Sequence, residues 1–105
     1  GSWDNALKDY DRAIQLKPDY HQAYKNRGSL NDEMRQHTKA IEDYNEAIKR
    51  KPNYMAYNNR GLIYETLGKQ EQALDDYNRA IWLKPDSFIA YNCRGFLYET
   101  MGKHK

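Results

Sequence analysis

Small and aromatic residues recur along this chain at helical spacing. In 57–67, Tyr57, Gly61 and Tyr64 stand at i, i+4 and i+7; in 72–83, Ala73, Tyr77 and Ala80 do the same. At 3.6 residues per turn each set falls on one face of a helix and leaves the polar side chains on the other. Leu67-Gly68-Lys69 reads as a turn between two helices, with Gly68 in the left-handed conformation that ends the first. Lys84-Pro85-Asp86 ends the second, because proline lacks a backbone donor and disfavours helix in the residue before it. No stretch alternates as a half-buried strand does, so the pattern predicts an all-α chain.

The same punctuation occurs three times. Ala6, Ala40 and Ala73 correspond, as do Tyr10, Tyr44 and Tyr77, then Ala13, Ala47 and Ala80, then Pro18, Pro52 and Pro85. Arg-Gly pairs at 27–28, 60–61 and 94–95 sit inside AYKNRG, AYNNRG and AYNCRG. The period is 34 residues, shortened to 33 where three residues rather than four separate Pro52 from Ala56. A repeat of this length is one helix pair that buries its apolar face only against its neighbours. Its phase predicts six helices: a second helix at about 3–16, two complete pairs, and a first helix at about 87–101.

The stretch 56–85, with Tyr57, Gly61, Tyr64, Gly68, Ala73, Tyr77, Ala80 and Pro85, resembles the tetratricopeptide repeat family. That resemblance covers essentially the whole chain. It implies an α-solenoid of antiparallel helix pairs in a right-handed superhelix, the first helix of each pair lining a concave groove. The expected organisation is a single domain over 3–105. It comprises a partial repeat at 3–18, a degenerate repeat at 20–52, the best-matching repeat at 54–85 and a partial repeat at 87–105. Gly1-Ser2 reads as a tag remnant. In the degenerate repeat Asn31 replaces the packing tyrosine and Arg35 the turn glycine. That helix end is expected to be looser, with Arg35 either strained or in a remodelled turn.

Half a turn from the packing residues lie Met55, Asn59, Leu62 and Thr66; their counterparts are Gln22, Asn26, Ser29 and Glu33, and Ile89, Cys93, Phe96 and Thr100. Lys25, Asn58 and Asn92 flank these stripes. The predicted groove therefore grades from polar to apolar along the chain. Asparagine amides both donate and accept, and so suit the backbone of an extended peptide. Asn26 and Asn59 resemble the asparagine ladder of some family members, which Cys93 interrupts. Lys25 and Asn59 sit where two residues of the family's carboxylate clamp for chaperone tails would stand. Ser29, Ile89 and Cys93 replace the remaining Asn, Lys and Arg, which removes the charge-assisted bonds such a clamp needs. Arg27, Arg60 and Arg94 recur at the edge of the buried face, and Asp9, Asp43 and Asp76 just before the packing tyrosines; the arginines read as structural, in an ion pair or with the stem packed over tyrosine, rather than as ligand contacts.

Charge excludes several classes. Seventeen basic and fifteen acidic side chains are interspersed for a net +2, and KRKP (49–52) and the terminal KHK are too short for a nucleic-acid patch. No apolar run approaches a membrane span. His21, His37 and His104 are scattered, no zinc-ligand spacing or phosphate loop occurs, and Asp75 and Asp76 diverge on a helix; no catalysis, cofactor or metal is expected. The single cysteine, Cys93, forms no internal disulfide and fits a reducing compartment such as the cytoplasm.

Two functions remain. One is a protein-interaction module holding a peptide or protein segment through Lys25, Asn26, Ser29, Met55, Asn58, Asn59, Leu62, Ile89, Asn92, Cys93 and Phe96. The other is a structural repeat that spaces other domains or stacks on itself. In that case Tyr91, Tyr98 and Met101 of the last helix would meet Trp3, Leu7, Tyr10 and Ala13 of the first, head to tail.

Overall fold

In the computed structural model, which describes residues 1–103, six helices follow one another: α1 (Ser2–Leu16), α2 (His21–Glu33), α3 (His37–Arg50), α4 (Tyr54–Thr66), α5 (Gln70–Leu83) and α6 (Phe88–Lys103). Among the described residues there is no strand. His104 lies outside the described residues. Asn53 caps the start of α4: its Oδ1 accepts from the amides of Met55 at 2.8 Å and Ala56 at 3.1 Å. Ser87 does the same for α6, accepting from the Ala90 amide at 3.3 Å.

The chain divides into two compact units, residues 1–52 and the residues from Asn53 on. In the first unit α2 packs against both α1 and α3. The contact between α2 and α3 centres on Gly28, whose missing side chain leaves room for Asp43 and Tyr44. Tyr24 anchors the lower end, its hydroxyl donating to the Pro18 carbonyl at 3.2 Å while the Arg50 guanidinium stacks 4.2 Å from the ring centroid.

In the second unit α5 packs between α4 and α6. Its core is Ala73, Tyr77 and Leu97, with Tyr64, Leu74, Cys93 and Met101 packed around them. Gly61 lies so close to Tyr77 that a Cβ there would come within 2.7 Å of the ring. Gly61 is therefore a packing requirement. Tyr57 and Tyr64 are only half-buried, and share the Arg60 guanidinium, which lies 5.4 and 5.8 Å from their ring centroids.

Both pair-internal turns have the same form. Gly68 takes φ 78°, and Arg35, at the equivalent place, takes φ 61°. The turn at Arg35 keeps the same two hydrogen bonds, Arg35 N–H to Asp32 O and Gln36 N–H to Asn31 O, at 2.9 and 2.8 Å. Arginine thus adopts a backbone conformation that costs an L-residue about 1–2 kcal/mol. The helix end before it is not loose: Asn31 is buried and donates to Asp43 at 2.9 Å.

Candidate functional site

The recurring Arg-Gly pairs have a clear part. Arg27 grips Asp43 with Nε and Nη2 at 2.7–3.1 Å and reaches Asp11 with Nη1 at 2.8 Å. Arg60 grips Asp76 through two bonds at 2.9 and 2.7 Å. Asp43 and Asp76 are buried, so removing either arginine would strand a carboxylate away from water. The Asp43 bonds hold the Arg27 guanidinium well above its ordinary pKa, against the pull of burial and with help from Asp11. Burial drives the Asp76 carboxyl upward, with Arg60 pulling the other way.

The recurring arginines and aspartates do not all pair alike. Asp9 is exposed and forms no ion pair among the described residues; the acid that Arg27 recruits from α1 is Asp11. Arg94 has no carboxylate among the described residues and donates to the Asn78 side chain at 2.9 Å. The i−16 partners, Asp11 and Asn78, occupy equivalent places in α1 and α5, each the residue after the packing tyrosine, a position that the sequence pattern did not single out.

In the second unit, Leu62, Glu65 and Thr66 of α4 and Asn92, Cys93 and Phe96 of α6 line an open recess of about 390 Å³. Leu62 and Phe96 are exposed at its rim, Phe96 by 61%, and Met55, Ile89 and Asn92 are exposed on the same two helices. Asn59 is half-buried. Cys93 is half-buried, and burial raises its thiol pKa, opposed by a side-chain hydrogen bond with Asn58. Glu65 accepts the Tyr77 hydroxyl at 2.5 Å.

Asn58, expected to flank the groove stripe, is instead enclosed. It is 5% exposed, and its Oδ1 has no hydrogen-bond partner within the described residues. On a lone helix Asn58 lies at the edge of the polar stripe, but α6 packs over that edge and encloses it.

In the first unit, Asn26 and Ser29 are exposed on α2 and Lys25 is half-buried. Asn26, Ser29, Leu30 and Glu33 line a recess of about 280 Å³ together with Trp3, Ala6 and Tyr10 of α1. The residues expected to leave α1 uncovered, Leu7, Tyr10 and Ala13, are half-buried, since α2 covers one side of them. Tyr91 and Tyr98 are exposed on α6, and Met101 is half-buried against the core. Among the described residues no group of three His, Cys, Asp or Glu side chains converges, and no helix is long and apolar enough to cross a membrane.

A tetratricopeptide repeat sequence model matches residues 21–54 and 55–87, and a TPR repeat model matches residues 1–34. No curated protein matches the sequence. Solved structures do. The first TPR of Spaghetti (RPAP3), bound to the HSP90 peptide SRMEEVD, is similar with a TM-score of 0.90 at 27% identity, over 97% of this chain and 82% of that one. MamA is similar at 0.90 and 28%, over 97% of this chain and 60% of its own length. The Arabidopsis OM64 TPR domain is similar at 0.89 and 27%, over 94% and 83%.

Proposed function

This chain belongs to the tetratricopeptide repeat family, and from that premise we propose that it is a non-catalytic interaction module whose first helices hold a peptide or protein segment. The observation that carries this reading is the recess between α4 and α6, where exposed Leu62 and Phe96 flank Asn92 and Cys93. Large apolar side chains exposed together around a concavity, with an amide beside them, suit an extended segment that inserts an apolar side chain and pairs its backbone with Asn92. The HSP90 peptide held by the Spaghetti domain supports a peptide as the class of ligand. An acidic C-terminal tail is not the expected one, because Ile89 and Cys93 supply no cation.

The test is a selection of random peptides against the chain, with calorimetry on the peptides recovered. Asn92→Ala combined with Phe96→Ala should weaken them by about tenfold or more at unchanged helicity. SRMEEVD, used as a probe, should bind more weakly than the selected peptides. Selected peptides that bind the double variant as well as the parent would defeat this site. A second reading, a structural repeat that stacks on copies of itself, is favoured by the open faces of α1 and α6.

A further inference from the structure

The α4–α5 pair is the template for a complete contact. Gly61 admits the Tyr77 ring, and Arg60 clasps Asp76 in the same turn. On α6 the equivalent face carries Tyr91, Arg94, Gly95 and Tyr98, and it is open. A Cβ on Gly95 would meet nothing within 4 Å, and the two tyrosines are 46% and 51% exposed. Arg94 stacks 5.2 and 6.0 Å from their ring centroids and lacks the carboxylate that Arg27 and Arg60 each have.

α1 has the converse vacancy. It buries no residue, whereas α3 and α5 bury four each, among them Tyr44 and Tyr77, the counterparts of Tyr10. Asp9, the counterpart of Asp43 and Asp76, is exposed and without an ion pair among the described residues. The recess lined by Trp3, Ala6, Tyr10, Asn26, Ser29 and Glu33 corresponds to the place beside α5 and α6 that α4 fills. Among the described residues α6 is thus a first helix without its second, and α1 a second helix without its first.

We propose that α6 of one copy seats in the α1–α2 recess of the next, with Tyr10 against Gly95 and Asp9 paired with Arg94. This inference rests on the self-stacking reading and specifies its register. The occupant is a second copy because α1 repeats α5 where contact is made: Ala6, Leu7, Asp9, Tyr10, Arg12 and Ala13 match Ala73, Leu74, Asp76, Tyr77, Arg79 and Ala80 in type and spacing. The charges also fit, an unmatched cation on one half-site and an unmatched carboxylate on the other. Such a contact joins two different surfaces, so each copy in a stack keeps a free half-site and association continues beyond two copies.

Sedimentation or light scattering across a concentration series tests this, with circular dichroism to follow folding. The parent chain should rise above its 12.5 kDa monomer mass as concentration increases. Gly95→Leu has room in the isolated chain but would strike Tyr10 in the stack, so it should fold and stay monomeric. Asp9→Arg and Arg94→Asp should each weaken association by about tenfold or more, and their combination should recover it. A parent chain that stays monomeric at millimolar concentration overturns self-stacking altogether. A parent chain that associates while Gly95→Leu and both charge variants associate equally well overturns this register alone, and assigns the α6 face to some other occupant.

Discussion

Tyr77 gathers several effects in one side chain. It is fully enclosed, its ring fills the space left by Gly61, and its hydroxyl donates to Glu65. Burial raises the phenol pKa, and the Glu65 carboxylate raises it further. The folded pKa therefore lies above the unfolded value of about 10. The stabilisation is complete below about pH 10 and is lost as the pH climbs past that value, because only the unfolded chain then ionises freely. Urea denaturation should show stability falling between pH 8 and pH 11 more steeply in the parent chain than in Tyr77→Phe. At pH 8 the variant should be less stable by about 1–2 kcal/mol, since Glu65 loses its donor. Sequence alone identifies Tyr77 as a packing residue. It does not identify Glu65 as its partner, because the two lie on different helices and only the crossing of α4 and α5 brings them together.

At the scale of the element, the Arg-Gly pair does different work in α2, α4 and α6, and glycine reports on it. A Cβ at Gly61 would come within 2.7 Å of Tyr77, at Gly28 within 3.3 Å of Asp43, and at Gly95 within 4 Å of nothing. Thermal melts should therefore separate three alanine substitutions. Gly61→Ala should cost about 1–3 kcal/mol from overpacking. Gly28→Ala should be near neutral, with a gain of about 0.5–1 kcal/mol in helix propensity set against a slight strain. Gly95→Ala should stabilise the isolated chain by about that propensity gain. The helices, their turns and the left-handed Gly68 were legible from spacing and residue type. That Arg35 accepts the left-handed conformation without remodelling the turn was not. The two flanking hydrogen bonds hold it there, and they belong to the folded helix end.

For the whole molecule the relevant balance is between faces that are covered and faces that are open. Seventeen basic and fifteen acidic side chains are interspersed, so long-range charge neither drives nor prevents association. Contact between open helix faces would have to be short-range, through tyrosine packing and one ion pair. Because stacking engages only folded copies, it should raise the apparent Tm with protein concentration. The parent chain should melt higher at high concentration than at low, whereas Gly95→Leu should melt at the same temperature at both. Scanning calorimetry at two concentrations measures the difference.

The sequence by itself determined the helices, their pairing period and the family, because a 3.6-residue period and a 34-residue repeat are local properties of the chain. It also gave the arginines a structural part, in an ion pair or over tyrosine, since they recur in every repeat. Only the tertiary structure decided what completes each pairing: Asp11 of α1 joins Asp43 on Arg27, and an amide rather than an acid meets Arg94. It likewise decided that Asn58 is enclosed while Asn92 stays free. The reason is the same in each case. A helical wheel gives the direction of a side chain from its own axis, but burial and partnership depend on where a second axis crosses the first.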